Sequence, residues 1–373
     1  MFTAESNMTA TKITSPDSPA LARLCDSLAA LAQEVDRTGD WPARQLELCG
    51  ASGVFEWFLE PQWGGQAWDE EAIVRGYLAL SSACLTTTFI ITQRSGACRR
   101  IASSDNDPLK EQLLPELARG DSFATVGVSH LTTSRRHLAQ PVLRAVRSGG
   151  GFVLDGYSAW VTGAAHAQHV VIGATLMEGD QATEDQLLVA LPTDLPGVSV
   201  PEPARLVGVS ASHTGELRLE NVMVDQRWVL AGPVADVMSL GIGAGTGGHQ
   251  TSTLALGLAR AAIDFIQSEA AGRADLQAPL DALRQECEEV TGDLLAIVRG
   301  ERVCSTEQLR GRANSLVLRS AQSALAAAKG TGYVWGHPAG RWCREALFFL
   351  VWSCPQPVVS ANLCELAGLT NDE

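Results

Sequence analysis

The sequence predicts an α+β chain built of three consecutive regions: all-α, then a small antiparallel β-region, then helices again. Two observations carry this. Apolar residues recur at three- and four-residue steps in the first and last thirds, while short β-rich runs punctuated by Gly and Pro fill the middle. The helical and β segments are also segregated, whereas a doubly wound sheet would need alternating βαβ units. The chain has 373 residues, 46% hydrophobic and 19% charged, enough apolar material for more than one core and too much for a disordered chain. The expected divisions are a disordered tail over 1–16, helices over 17–121, the β-region over 122–233 and helices over 234–373.

Each element has its own signal. Residues 1–16 are small and polar and read as a frayed tail. Leu21, Leu24, Leu28, Leu31 and Val35 form one helical stripe. Trp41-Pro42 starts a short helix with Leu46 and Leu48, and Glu60 to Gly65 is a break rich in turn formers. Helical stretches are expected from about Asp69 to Ser104 and from Pro108 to Arg119. Strands are expected at Phe152–Leu154, His169–Leu176, Gln186–Leu191, Val198–Val200 and Glu216–Val224, separated by Gly149-Gly150-Gly151, Pro192, Pro196-Gly197, Pro201 and Pro203. Thr251–Ala271, Leu276–Arg299, Thr306–Lys329, Ala339–Trp352 and Val358–Leu366 read as helices, with a Gly-rich break over 330–338.

Charge and cysteine usage narrow the class. Lys+Arg of 28 against Asp+Glu of 42 gives −14, a field that repels nucleic acid and anionic membranes while leaving room for an anionic cofactor in a local pocket. Nine scattered cysteines without a CxxC pair read as reduced thiols of a cytoplasmic protein. No histidine falls at ligand spacing beside a cysteine pair, so no metal site is expected. No apolar run is long enough to span a bilayer, and no leader is expected.

Several motifs invite function. Gly243 to Gly248 matches G-x-G-x-x-G, with Glu269 about 20 residues on, but a dinucleotide fold needs a strand just before this loop and another after the helix. Ser129-His130 and Ser212-His213 are sequence neighbours without a G-x-S-x-G elbow, a poor basis for a serine hydrolase. Gly156 to Ala167 says more. A strand there delivers Trp160 and Thr162 to one face, a flat aromatic beside a hydroxyl that suits a planar heteroaromatic group.

Around it stand further pieces in a fixed order. These are Gly53-Val54-Phe55 with Pro61-Gln62-Trp63-Gly64-Gly65, then Leu113 to Gly120, Trp160-Val161-Thr162-Gly163-Ala164, Gly208 to Leu230, and Leu256 to Ala262. Last come Gly330-Thr331-Gly332-Tyr333 with Arg341 and Arg344-Glu345-Ala346. Together they resemble the acyl-CoA dehydrogenase family over about residues 20–366. The resemblance implies an N-terminal helical domain, a central β-domain and a C-terminal four-helix bundle, with FAD between the last two. Trp160 and Thr162 would flank the flavin ring. Ser129 and Ser134 would stand in the flavin-contacting loop, where the family has T-E-P-x-x-G-S. Arg273, in place of the family's R-x-x-F-G, together with Gly330 and Gly332, would serve the cofactor's other half. A homodimer or homotetramer is implied.

The chain departs from the family at its base. Nine places after Arg344 lies Ser353 in Trp352-Ser353-Cys354-Pro355, where the family carries a glutamate, and the alternative base position falls on Gly247. A serine hydroxyl is far too weakly basic to remove a proton α to a thioester. Cys354, His249, His130 and His337 are the substitute candidates, and the Ser353 backbone N–H is a candidate oxyanion donor. The leading expectation is an FAD-dependent α,β-dehydrogenation of an acyl thioester on CoA or a carrier protein, with hydride transfer to flavin N5 and an unidentified electron acceptor. A flavin-dependent monooxygenase, its flavin reduced by a separate reductase, is the alternative, since relatives of that kind dispense with the glutamate. A catalytically degenerate flavin-fold partner protein is the third.

Overall fold

The structure, a computed structural model, describes residues 11–132, 140–240 and 249–369. Helix α1 spans Pro19–Thr38. The Ser18 hydroxyl caps it by accepting from the Ala20 N–H, and Pro19 opens its first turn. Its stripe of Leu21, Leu24 and Leu28 is buried as the spacing requires. Helix α2 covers Ala43–Ala51, α3 Glu70–Ala83, α4 Leu85–Ala102 and α5 Asp107–Arg119. The single stretch expected from Asp69 to Ser104 is two helices, because Cys84 adopts an extended conformation between them. Lys12 and Ile13, expected in a frayed segment, are held in place. Ile13 is fully buried and donates its backbone N–H to Ser52 O at 2.9 Å, and Lys12 pairs with Glu56 at 2.7 Å. One apolar residue in a polar run carried too little signal to show this.

The middle third is one twisted sheet. Its strands are β1 (Ala124–Gly127), β2 (Leu143–Ser148), β3 (Gly151–Thr162), β4 (His169–Glu178), β5 (Gln181–Pro192), β6 (Val198–Ser199), β7 (Thr214–Asp225) and β8 (Val229–Ala235). Their order is β6-β7-β3-β2-β4-β5-β8, with β1 paired to β4. The ladders are antiparallel except β1 with β4 and β2 with β4. The apolar runs anticipated five of these strands. They missed β1, which is only four residues long, β2, which carries Arg144 and Arg147, and β8, which contains the breaker pair Gly232-Pro233. A one-turn helix α6, Ser129–Thr132, follows β1.

The last third holds α7 (His249–Ala270), α8 (Gln277–Val298), α9 (Thr306–Gly332), α10 (Pro338–Ala346) and α11 (Gln356–Leu366). Helix α9 starts with a capping box between Ser305 and Gln308 and kinks at Lys329. It is the hub against which α7, α8, α10 and α11 pack. Helix α3 packs on α7, so Val74, Leu78, Leu85 and Phe89 of the first third share a core with Leu254, Leu258, Leu316 and Phe349 of the last. That shared core brings α3, α4 and α7 to the edge of the sheet, where the site lies.

Candidate active site

A cavity of about 1090 Å³ opens between the sheet, helices α3, α4 and α7, and the connection from α10 to α11. Its sheet wall carries Trp160 and Thr162 at the end of β3, with Ser129 on α6. Period two sends both β3 side chains the same way, and Trp160 remains 49% exposed. Thr162 is buried, with its hydroxyl 2.9 Å from that of Thr214, which in turn meets Ser212 at 2.8 Å. The Ser129 hydroxyl is buried with no hydrogen-bond partner among the described residues. Ser134 lies outside the described residues, as does the Gly243–Gly248 loop.

The opposite wall is the α10–α11 connection. Leu347, Phe348, Val351, Trp352 and Ser353 face the cavity, and the Trp352 ring stacks on Phe348 at 4.9 Å and meets Phe89 of α4 edge-on at 4.9 Å. Ser353 sits at φ 47°, a left-handed turn unusual for a residue with a side chain. Two buried residues of α9 hold this turn. Arg310 donates to Trp352 O at 2.9 Å and Phe349 O at 3.3 Å, and Asn314 donates to Phe349 O at 3.1 Å. A fourth bond, from Arg310 Nε to Asn314 Oδ1 at 2.9 Å, fixes the pair. Nothing among the described residues accepts from the Ser353 backbone N–H.

The titratable groups of the cavity lie on α3, α4 and α7. Glu70, just inside the Asp69 cap of α3, pairs with Arg99 of α4, and its Oε2 lies 3.9 Å from His249 Nε2. That separation is an ion-pair distance, too long for a hydrogen bond. His249, then Arg99, hold the Glu70 carboxyl down at about 2, against the opposing effect of burial. Glu70 is therefore a fixed anion beside the only imidazole that lines the cavity among the described residues.

Of the base substitutes, the structure brings only His249 into the cavity alongside Ser353. Cys354, offered with them, lies elsewhere. It does not line the cavity, its sulfur lies 4.0 Å from Asn362 Nδ2, and burial pushes its thiol up, away from the ionised form a base requires. His130 is buried with Nε2 2.8 Å from Gly173 O, and burial pushes it down toward the neutral form. His337 caps α10 by accepting from the Ala339 N–H at 3.2 Å. Arg273, Gly330 and Gly332 do not line this cavity. Arg273 donates to Ala327 O at 2.6 Å and pairs with Asp275 at 3.2 Å, while Gly330 and Gly332 lie in the last residues of α9, past its kink at Lys329.

Sequence reasoning missed Glu70, Arg99, Arg310 and Asn314. An acid after an Asp cap reads as an ordinary first-turn charge, and an arginine in a polar helix reads as solvated. Neither pattern could show that tertiary packing sets Glu70 and Arg99 at the cavity or Arg310 and Asn314 behind its α10–α11 wall.

The profile of the acyl-CoA dehydrogenase N-terminal domain matches residues 21–121, and that of the acyl-CoA dehydrogenase middle domain matches residues 132–222. The chain belongs to the acyl-CoA dehydrogenase family. A probable acyl-CoA dehydrogenase of Bacillus subtilis, YngJ, is 24% identical over 259 residues, covering 69% of this chain and 68% of the relative. A glutaryl-coenzyme A dehydrogenase solved with glutaryl-CoA superposes with a TM-score of 0.78 at 18% identity, covering 95% of this chain and 96% of that one. Dibenzothiophene monooxygenase (TdsC) of Paenibacillus sp. A11-2 superposes with a TM-score of 0.75 at 14% identity, over 94% and 96% of the two chains. The last two share the family's fold with this chain.

Proposed function

We propose that this family member is an FAD-dependent oxidoreductase that introduces an α,β double bond into an acyl thioester carried by CoA or a carrier protein. The observation that carries this reading is the composition of one cavity. A wall fit for a planar heteroaromatic ring faces, within the same space, the turn where the family keeps its base and a His249–Glu70 pair. The fit of the ring rests on the exposed face of Trp160, the buried Ser129 hydroxyl with no partner, and the Thr162–Thr214 hydroxyl pair. When bound, FAD supplies the acceptor for the β-hydrogen, taken as hydride at N5.

The chain's own groups do the remainder. His249 takes the α-proton, because histidine is the side-chain type best matched to proton transfer near neutrality. The Glu70 carboxylate, 3.9 Å from Nε2, lies within ion-pair reach of the imidazolium formed when the proton arrives. The free Ser353 N–H, held by the Arg310–Asn314 clamp, is placed to donate to the thioester carbonyl. The aromatic wall of Phe89, Phe348 and Trp352 excludes water from the apolar part of the substrate. A homodimer or homotetramer in the cytoplasm, passing electrons to an acceptor still to be identified, belongs to the same reading.

A second reading, a flavin-dependent monooxygenase, is favoured by one observation: Ser353 puts no carboxylate at the base position. The two are separated by loading the protein with FAD and mixing it anaerobically with acyl thioesters. Bleaching of the flavin absorbance supports the dehydrogenase. No bleaching, together with product formed only when a flavin reductase and oxygen are present, overturns it in favour of the oxygenase. A purified protein that takes up no flavin overturns both and leaves the degenerate partner protein.

A further inference from the structure

Three guanidiniums line the cavity: Arg99, Arg100 and Arg344. Two are matched. Arg99 pairs with Glu70, and both oxygens of Asp36 hold Arg344, at 2.9 and 2.6 Å. Arg100 is not matched. Its guanidinium makes no ion pair or hydrogen bond with any described residue, and its Nη1 is buried without a partner. The internal segments outside the described residues, 133–139 and 241–248, contain no Asp or Glu that would supply a counter-charge. Partial burial pushes the Arg100 guanidinium down from its ordinary range, as expected of a cation that has lost part of its hydration with no counter-charge beside it.

The cavity is polarised along α4. Phe89 touches Trp352 at one level, and Arg100 lies eleven residues on, about 16 Å along the helix axis. One end is therefore aromatic and the other holds a single unmatched cation. We propose that the substrate is amphipathic and carries an oxyanion, received by Arg100, while its apolar part lies against Phe89 and Trp352. Two sources share that chemistry: a carboxylate on the acyl group, or a phosphate of the thioester's handle. The inference rests on the acyl-thioester reading for the name of the ligand, and on the unmatched charge alone for the anion.

The test measures binding by quenching of tryptophan fluorescence, which needs no turnover. The probes are acyl thioesters of equal length ending in methyl or in carboxylate, each made on CoA and on the phosphate-free handle N-acetylcysteamine. Wild type is expected to prefer the anionic member of one comparison by tenfold or more, the usual scale of a charge-assisted hydrogen bond. Arg100→Gln should reduce that preference to within about twofold. A carboxylate preference on both handles assigns the anion to the acyl group, and a CoA preference regardless of the acyl end assigns it to the phosphate. The proposal falls if wild type shows neither preference, or if either survives in R100Q.

Two controls separate this result from failure of the thioester reading. Without ligand, R100Q should melt at or above the wild-type temperature, because it removes a buried charge that has no partner; a clear drop would mean the guanidinium is structural and would overturn the proposal. R100Q should also retain FAD as wild type does, since loss of FAD would make the cofactor the source of the anion and overturn the assignment to substrate. If no thioester binds at all, stabilisation by inorganic phosphate or succinate in wild type and not in R100Q still upholds the oxyanion site, and its absence from both sinks it.

Discussion

Gly257 lies where α7 crosses α3, and adding one methyl group there sets three effects against each other. A Cβ at this position would stand 2.5 Å from Ser81 Cβ, 2.8 Å from Leu78 O and 2.9 Å from Ser81 Oγ. Two of these atoms are backbone-bound and cannot swing away, so the helices must part. Overpacking of this kind costs about 1–3 kcal/mol. Parting also strains the buried bond from Ser81 Oγ to Leu254 O, 2.8 Å long, whose loss costs about 1 kcal/mol. Against this, alanine is the better helix former by about 1 kcal/mol. The net expectation for Gly257→Ala is a destabilisation of about 1–3 kcal/mol. Denaturant unfolding followed by tryptophan fluorescence measures it. Ser81→Gly, which removes the nearest Cβ, should recover part of the loss in the double variant, a coupling that distant sites would not show. If G257A were as stable as wild type or more so, helix propensity would have won, and the close α3–α7 approach that sets Glu70 beside His249 would be refuted.

Three more outcomes follow from the same geometry. Burial raises the Glu345 carboxyl to about 7 from 4.5, so its contribution to stability is full below pH 4.5 and is lost as pH rises through 7. Glu345→Gln should flatten that limb, worth on the order of 3 kcal/mol, in unfolding midpoints measured from pH 5 to 8. His166, stacked on Trp41 at 4.1 Å and bonded to His213 at 3.0 Å, is pushed below its ordinary range, first by burial and then by His213. Its contribution is present above pH 6.5 and lost as pH falls, so His166→Gln should lessen the acid sensitivity seen between pH 7 and 5. Arg310→Met removes the donor to Trp352 O and should speed amide hydrogen exchange over residues 349–354, with a stability loss of about 1–3 kcal/mol; unchanged exchange there would remove the clamp from the account.

How far the sequence could reach depended on the range of each signal. The stripe of Leu21, Leu24 and Leu28 and the apolar run of His169–Leu176 are local patterns, and α1 and β4 stand where they point. Trp160 and Thr162 were legible because two residues apart on a strand means one face. The break at Cys84 was not, since two helices meeting end to end share one composition. Glu70, Arg99 and His249 come together across 179 positions, from Glu70 to His249, and only tertiary packing of α3 on α7 makes them neighbours. Ser353 was found by counting from Arg344. What holds it, Arg310 and Asn314 on α9, had no mark in the sequence beyond two polar residues four apart.

The central claim is that a histidine does the work of the family's missing carboxylate. Anaerobic reduction of the bound flavin by an acyl thioester, followed in wild type, Ser353→Ala and His249→Asn, tests it most directly. Bleaching should be rapid in wild type, similar in S353A, and slower by about 100-fold or more in H249N, the scale of a lost general base. A fast H249N beside an inert S353A would contradict it.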